Sequence, residues 1–379
     1  MGVVLLLGAG LLLRSFDRLL RTTPGFEPQH LVTATFRLPD SRYPYLKQIV
    51  FYDEVLAGLR ALPGVESAAA AAPLPLSGSR YAISFQQSGV ERPQSERLSA
   101  DFGMVSPGYF RTLQVPLVRG REFSEADSDA APRVVIVNER FARQYFGGAD
   151  PIGQRIKPGL STTEKEMPWR EIVGVVGDVR HQRLSEESRP AYFVPYAQGL
   201  ISPLSLVVRT NNATGIVDDV RRTLARKDPE LALYDVKTME EYVATSVATP
   251  RFQTLLLALF AAVGLALTAI GLYGVMAYGV AQRTREFGIR LALGAGPGEV
   301  LGLVLRGGLA LVGAGLIVGI VAGALASRLL TSALYGVDPL DPSTFAGVAA
   351  VLVTVGLVAS YLPARRATRV DPIAALRAD

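Results

Sequence analysis

The chain has 379 residues, of which 49% are hydrophobic and 19% charged, and its formal net charge is +5. Residues 22–250 hold 26 Lys and Arg against 27 Asp and Glu, so the basic surplus lies beside the apolar segments and does not indicate nucleic-acid binding. The chain has no cysteine, which excludes disulfides and thiolate metal sites, and its only histidines, His30 and His181, are too far apart for a metal motif.

The N-terminal segment Val3–Leu13 is apolar but short, roughly 16 Å long as a helix. It lacks the basic n-region and the cleavage site of a signal peptide. Arg14, Arg18 and Arg21 follow it and argue against an external position for its C-terminal side. We therefore interpret residues 1–21 as a truncated first transmembrane helix, begun upstream, and the start of a stalk.

The polar residues 22–250 contain two similar strand–helix–strand units. Each helix is recognised by apolar residues spaced three and four apart, and each flanking strand by alternating or β-branched residues. The first unit comprises Leu31–Leu38, Leu46–Leu62 and Val65–Ala72, with Ile49, Tyr52, Leu56 and Leu59 on its helix face; the second comprises Leu204–Arg209, a helix with Ile216, Val220 and Leu224 on one face, and Leu231–Val236. The units flank an insert of about residues 80–200, so we expect an α+β domain in two parts.

The insert is predicted to be mostly strand and turn, with short helices. Ser106-Pro107 is a candidate N-cap followed by proline at the first helical position. Asn138 is a candidate N-cap for the helix Glu139–Phe146, which Gly147-Gly148 would close. The predicted buried strands of this region are Val134–Val137 and Ile172–Val176.

No catalytic constellation is recognisable in the sequence. Adjacent acids usually point apart on a helix surface, so we interpret the paired acids as solvated; they are Asp218-Asp219, Glu186-Glu187 and Glu240-Glu241. The glycine-rich stretches do not continue to GK[ST], so the chain has no Walker A motif, and G-x-S-x-G and HExxH are absent too. We expect no catalytic residues, no metal and no cofactor.

Three C-terminal segments have the length and composition of membrane spans. Residues 255–281, 307–327 and 345–362 are uncharged over 27, 21 and 18 positions. Arginines are concentrated between the first two spans and after the third, whereas the loop Thr331–Thr344 has no Lys or Arg and only Asp338 and Asp341 as charged residues. By the positive-inside rule the arginine-rich segments are cytoplasmic and the large domain is external.

Two features of this region are candidates for interactions. Gly315, Gly319 and Gly323 form a small-residue face that allows close helix packing, either within the subunit or between subunits. The segment Arg283–Ala295, RTREFGIRLALGA, is amphipathic. Its apolar residues, Phe287 among them, could dock on another protein, or the segment could lie on lipid headgroups.

Several motifs in this order resemble the MacB/FtsX permease family of ABC transporters, over essentially the whole chain. Besides the arginine-rich segment, they are VSPGYF at 105–110, VNERFARQYFGGADPIGQRI at 137–156, IVGVVGDVR at 172–180 and PARRATRVDPIAALR at 363–377. The sequences of these motifs are similar to those of duplicated acidobacterial-type permeases, and this chain would be the second half of such a permease.

The resemblance implies a MacB-like periplasmic core domain at 22–250, with a porter-like βαβ pair and an inserted β-rich subdomain, and an FtsX-like permease domain at 251–379. With the truncated first helix, four transmembrane helices in the bacterial inner membrane are expected. The chain would be non-catalytic and would couple a cytoplasmic ABC ATPase to its periplasmic domain. The ATPase-coupling residues would be Arg285, Glu286, Gly288, Ile289, Arg290, Leu293, Gly294 and Ala295.

Further partners implied by the resemblance are a second copy or a second permease half, a periplasmic adaptor, and membrane lipid. The alternative is an FtsX-like regulator that transports nothing and acts on a periplasmic partner such as a cell-wall hydrolase. The size of the external domain favours the MacB-like interpretation.

Overall fold

The computed structural model describes residues 1–90, 93, 96–159, 168–199, 203–293 and 295–368. It divides into a helical unit, Met1–Arg21 with Ala248–Asp379, and a sheet unit, Thr22–Val247. The helices are α1 (Gly2–Leu20), α2 (Tyr45–Arg60), α3 (Tyr109–Leu113), α4 (Glu139–Phe146), α5 (Ala213–Lys227), α6 (Met239–Gln282), α7 (Thr284–Ala292), α8 (Pro297–Ser327) and α9 (Pro342–Ala367). The strands are β1 (Leu31–Thr35), β2 (Val65–Ala72), β3 (Tyr81–Gln87), β4 (Leu98–Val105), β5 (Leu117–Gly120), β6 (Val134–Asn138), β7 (Arg155–Gly159), β8 (Arg170–Val176), β9 (Ala191–Pro195), β10 (Ser205–Thr210) and β11 (Tyr234–Thr238).

In the helical unit, α6, α8 and α9 are long and apolar enough to cross a membrane, and they contain the three predicted spans. They are the three such helices among the described residues. Only 6% of the apolar window of α6 is buried within the chain, so most of its side chains are left for a lipid environment. The first helix, α1, carries Arg14, Asp17 and Arg18 in its second half, and the expected four-span topology stays a prediction.

The sheet unit is organised around an antiparallel sheet with the strand order β11-β1-β10-β2. The helix α2 joins β1 to β2, and both strands pair with β10; the helix α5 joins β10 to β11, and both strands pair with β1. The two predicted strand–helix–strand units are therefore interleaved in one split β-α-β arrangement.

Both faces of this sheet are covered, because alternate strand residues point to opposite sides. On one face, Ala68 and Ala70 belong to the same core as Tyr52 of α2 and Val220 of α5. On the other face, Ala69 and Ala71 belong to the core that contains the aromatic residues of α3. The five consecutive alanines of β2 are all buried, so their small side chains let elements approach from both sides.

A ring of six strands continues from this sheet. Two residue pairs, Ala71 with Val105 and Ala72 with Met104, join β2 to β4. From β4 the pairing runs through β3, β7, β8, β6 and β9, and β9 pairs back with β4 in parallel. The strand β5 pairs with β8 outside the ring. These strands belong to the predicted insert, whose status as a separate subdomain stays a prediction.

Of the two helix N-caps predicted in the insert, one is confirmed and one is wrong. Asn138 caps α4 by accepting a hydrogen bond from the Phe141 amide at 2.9 Å, and Gly147 ends the helix in the left-handed conformation, both as predicted. The predicted cap at Ser106 is wrong. Gly108, with φ of 78°, precedes α3, because the Ser106 hydroxyl instead accepts from the Ala70 amide at 2.9 Å.

Candidate functional site

The segment between the first two spans forms a separate short helix, α7. The break from α6 falls at Arg283, whose carbonyl accepts from the Phe287 amide at 3.0 Å. The other end is closed by a hydrogen bond of 3.0 Å from the Ala295 amide to the Arg290 carbonyl. The next helix starts at once with Pro297, a residue favoured in the first turn because it lacks an amide hydrogen.

Phe287 anchors α7 to the helices around it. Its side chain is only 2% exposed and shares an apolar cluster with Met276 of α6, Val300 and Val304 of α8, and Ala364 of α9. Phe287 therefore faces inward, and the expectation that its ring could dock on another protein is wrong. The sequence alone did not show which side of this amphipathic segment the three long helices would cover.

The opposite side of α7 exposes both apolar and charged groups. Ile289 is 41% exposed and Leu293 is 83% exposed. Arg290 donates to Glu286 at 2.6 Å, a pair four residues apart, and Arg285 is exposed nearby. We call Arg285, Glu286, Ile289, Arg290 and Leu293 the coupling face.

The remaining predicted coupling residues are not part of this face. Gly288 is buried beside Phe287, and Ala295 is partly buried. Gly294 lies outside the described residues. An exposed ion pair like Glu286–Arg290 contributes only about 0.3–0.5 kcal/mol to helix stability. Its charges are therefore easily redirected to a binding partner.

The predicted glycine face of α8 lies partly against α1. A Cβ atom at Gly319 would be 2.5 Å from the Val3 Cβ, and one at Gly323 would be 2.3 Å from the Leu7 Cδ1. These two glycines allow the backbones of α8 and α1 to approach closely. Gly315, by contrast, has no atom within 4 Å of an added Cβ. The three glycines thus do not share one packing role within the chain.

A polar clasp, which the sequence did not predict, joins α1 to the turn before α9. The Arg14 guanidinium donates to Asp341 at 2.6 Å, and the Ser15 hydroxyl accepts from the Tyr335 amide at 2.7 Å. Arg21 pairs with Asp17 at 3.0 Å within its own helix region. Two of the arginines that we interpreted as topology signals therefore have carboxylate partners. Asp341 followed by proline is a sequence pattern typical of a helix N-cap, but its partner Arg14 lies 327 residues earlier in the chain.

Asp341 is held as a carboxylate by several donors. Hydrogen bonds from the Ser343 and Thr344 hydroxyls, both 2.7 Å long, lower the pKa of this carboxyl to about 2, with further contributions from the Thr344 amide and from Arg14. The clasp is therefore charged over the whole physiological pH range.

Several of the paired acids in the sheet unit bind neighbouring residues of their own helix or its first turn. Asp218 pairs with Arg221 at 2.6 Å and Asp219 pairs with Arg222. Glu241 accepts from the Thr238 amide at 2.8 Å at the start of α6. Within the described ranges, no three His, Asp or Glu side chains are grouped so that they could hold a metal ion.

Two family models match the chain. The model described as the MacB-like periplasmic core domain matches residues 2–227. The model described as the FtsX-like permease C-terminal domain matches residues 258–372, which include α7, α8 and α9.

Curated relatives that match most of this chain are longer proteins. The chain is 28% identical over 353 residues to the pyoverdine export ATP-binding/permease protein PvdT of Pseudomonas savastanoi pv. phaseolicola, which covers 90% of this chain and 50% of that protein. It is 29% identical over 275 residues to the macrolide export ATP-binding/permease protein MacB of Azoarcus sp., which covers 70% of this chain and 40% of that protein. The chain thus spans about half the length of these relatives, or less.

Among solved structures, the periplasmic region of MacB from Actinobacillus actinomycetemcomitans aligns with a TM-score of 0.40 at 15% identity, covering 60% of this chain and 97% of that one.

Proposed function

This chain belongs to the MacB/FtsX family of ABC transporter permeases, and from that membership we propose that it is the permease subunit of an ABC-type export or mechanotransmission system. In this proposal a partner ATPase hydrolyses ATP in the cytoplasm, and the helical unit passes the resulting movement to the periplasmic sheet unit. The names of the relatives PvdT and MacB combine export with ATP binding, and the models that match this chain describe a periplasmic domain and a permease domain.

The observation that carries the proposal is that α7 is fixed on one side and open on the other. Because Phe287 belongs to one apolar cluster with residues of α6, α8 and α9, we expect a displacement of α7 to act on all three long helices. Its coupling face mixes exposed aliphatic residues with charges, as protein interfaces do. A partner bound to this face would therefore have a mechanical connection to the membrane helices.

The orientation in the membrane follows from charge. Arg283, Arg285 and Arg290 place α7 on the cytoplasmic side, and Arg365 and Arg366 place the end of α9 there too. The turn before α9 and the sheet unit are then external. In this arrangement the coupling face lies where an ATPase can reach it, in a multi-pass protein of the bacterial inner membrane.

The experiment reconstitutes the full chain in lipid nanodiscs with candidate ABC ATPases and measures ATP hydrolysis. In Leu293→Asp a charge replaces an almost fully exposed leucine, so the fold should persist. If Leu293 contributes about 2 kcal/mol to the interface, the variant should bind the ATPase about thirtyfold more weakly than the wild-type chain. Leu340→Asp is the matched control, because Leu340 is 46% exposed in the turn before α9.

The charged pair provides a second test. Glu286→Arg combined with Arg290→Glu restores attraction within α7 but reverses the charges offered to a partner. We expect the double variant to remain defective in stimulating the ATPase. If Leu293→Asp and the double variant both stimulate hydrolysis like the wild-type chain, the coupling role of α7 is wrong.

A further inference from the structure

The chain that leaves α1 meets the segment after β8 backbone to backbone. After α1 ends at Leu20, the carbonyl of Pro24 accepts a hydrogen bond from the Arg180 amide at 2.9 Å. A Cβ atom added at Gly25 would lie 2.0 Å from the Asp178 carbonyl oxygen, closer than any side chain can approach. This contact therefore requires a glycine.

Buried side chains hold the contact in place. Phe26 is 6% exposed and Val179 is 5% exposed, and both belong to the apolar core that contains the aromatic residues of α3. The guanidinium of Arg180 donates to the carbonyls of Leu184, at 2.8 Å, and Glu186. The segment after β8 is thus held by its own loop, and the chain that leaves α1 shares a core with it.

Asp178 connects this contact to α4. Its carboxylate accepts from the Arg140 amide at 2.7 Å and pairs with Arg143 one turn further along α4. Amides in the first turn of a helix have no partner within the helix, and they favour a negative charge. The residue whose carbonyl touches Gly25 therefore also holds the N-terminus of α4.

The other connection of the sheet unit bears on a different strand. Met239, the first residue of α6, is fully buried, and the hydroxyl of Tyr242 donates to Asp235 of β11 at 2.8 Å. The strand β11 lies at one end of the strand order. The start of α6 thus contacts β11, whereas the chain that leaves α1 first contacts the segment between β8 and its bond to α4.

We propose that Pro24, Gly25, Asp178 and Arg180 form a latch that couples the chain leaving α1 rigidly to α4. Closely packed contacts have low compressibility, so a displacement on one side of the latch reaches the other side. Phe141 of α4 is fully buried and contacts aromatic rings of β3 and β9. The six-strand ring therefore moves with α4.

The latch gives the two connections separate targets. Movement of α1 enters the ring through α4, and movement of α6 enters the sheet through β11. This part in transmission rests on the proposed function, whereas the rigidity of the latch does not.

The experiment measures a distance distribution by pulsed electron paramagnetic resonance on the full chain in nanodiscs, without ATPase or nucleotide. Nitroxide labels are attached at Thr23→Cys and Gln144→Cys, two exposed positions on either side of the latch, in a chain that has no other cysteine. Gly25→Ala drives a methyl group into the Asp178 carbonyl. Gly89→Ala is the matched control, because its φ of 81° is close to the 87° of Gly25 and no atom lies within 4 Å of the added Cβ.

We expect a narrow distribution in the wild-type chain and in Gly89→Ala. In Gly25→Ala the distribution should become about twofold wider, and the Arg180 amide should exchange about tenfold faster in hydrogen-exchange mass spectrometry. A distribution in Gly25→Ala as narrow as in Gly89→Ala would overturn the proposal, even if the Arg180 amide exchanged faster.

Asp178→Ala tests the latch without a collision, because it keeps the backbone contact and removes the carboxylate that holds α4. The distribution should widen here too, while the Arg180 amide stays protected. An unchanged width would also overturn the proposal. Neither result depends on whether an ATPase acts on this chain, so the latch and the proposed function can fail separately.

Discussion

Arg209 is a buried charge that should contribute strongly to the stability of the sheet unit. It lies in β10, is 5% exposed, and donates to three backbone carbonyls: from Nε to Thr112 at 2.8 Å, and from its two terminal nitrogens to Gln29 and Glu27, both at 2.9 Å. One guanidinium thus ties α3 and the segment before β1 to the central sheet. Arg209→Ala removes all three bonds and leaves their acceptors without this partner.

The expected cost follows from these contacts. Hydrogen bonds to a charged donor contribute about 1.5–3 kcal/mol each, so three of them give a gross loss of about 6 kcal/mol. Removing the guanidinium also removes the several kcal/mol that its burial costs. We therefore expect the segment before β1 to open more easily by about 3 kcal/mol, which corresponds to about a hundredfold faster amide exchange.

The assay is hydrogen exchange with mass spectrometry on the full chain in nanodiscs. The Glu27 amide is the reporter, because it donates to the Leu113 carbonyl at 3.0 Å beside the Arg209 contacts. Arg222→Ala is the matched control, since Arg222 has an exposed side chain paired with Asp219. Arg209→Lys should recover less than half of the protection, because one ammonium cannot reach three separate carbonyls. Exchange of Glu27 within about twofold of wild type in Arg209→Ala would refute the reasoning.

Three further outcomes are expected. Asn138→Ala should lower the free energy of unfolding by about 2 kcal/mol in chemical denaturation, because its buried side chain caps α4 and also accepts from a β9 amide; a change below about 0.5 kcal/mol would contradict this. Gly323→Ala should destabilise the helical unit by about 1–3 kcal/mol in thermal unfolding, because the new methyl would collide with Leu7, whereas Gly313→Ala should be tolerated. Asp341→Asn should lower the melting temperature by its full amount above pH about 4, the unfolded-state pKa of Asp. The difference from wild type should disappear as pH falls towards about 2, since a lowered carboxyl pKa stabilises only the ionised form. A difference in melting temperature that does not change with pH would contradict this.

The sequence predicted those features that depend on local patterns. Uncharged runs identified the three long helices, and apolar spacing identified the buried faces of α2 and α5, because a helix repeats at 3.6 residues wherever it packs. The cap at Asn138 was recognisable from its position before a helix and a glycine pair. Ser106 looked equally suitable as a cap, but its hydroxyl was taken by a strand amide that only the fold brings near.

The features that depend on distant contacts could not be predicted. The six-strand ring closes by a parallel pairing in which Asp101 of β4 faces Ala191 of β9, and no local pattern specifies that partner. The burial of Phe287 depends on which side of α7 meets the other helices. The sequence therefore predicted α7 as a candidate coupling segment, but it did not indicate which residues of α7 face outward.

The interleaving of the two strand–helix–strand units has a mechanical consequence. The connection that leads into β1 and the one that leaves β11 lie side by side, because Val32 faces Thr238 across this antiparallel pair. In an optical trap that pulls these two connections apart, β11 should detach first, by losing its hydrogen bonds one pair at a time; earlier release of β10 would contradict this. A load shared by both connections strains none of those bonds. The domain is thus stiff when its two connections move together and yielding when they move apart.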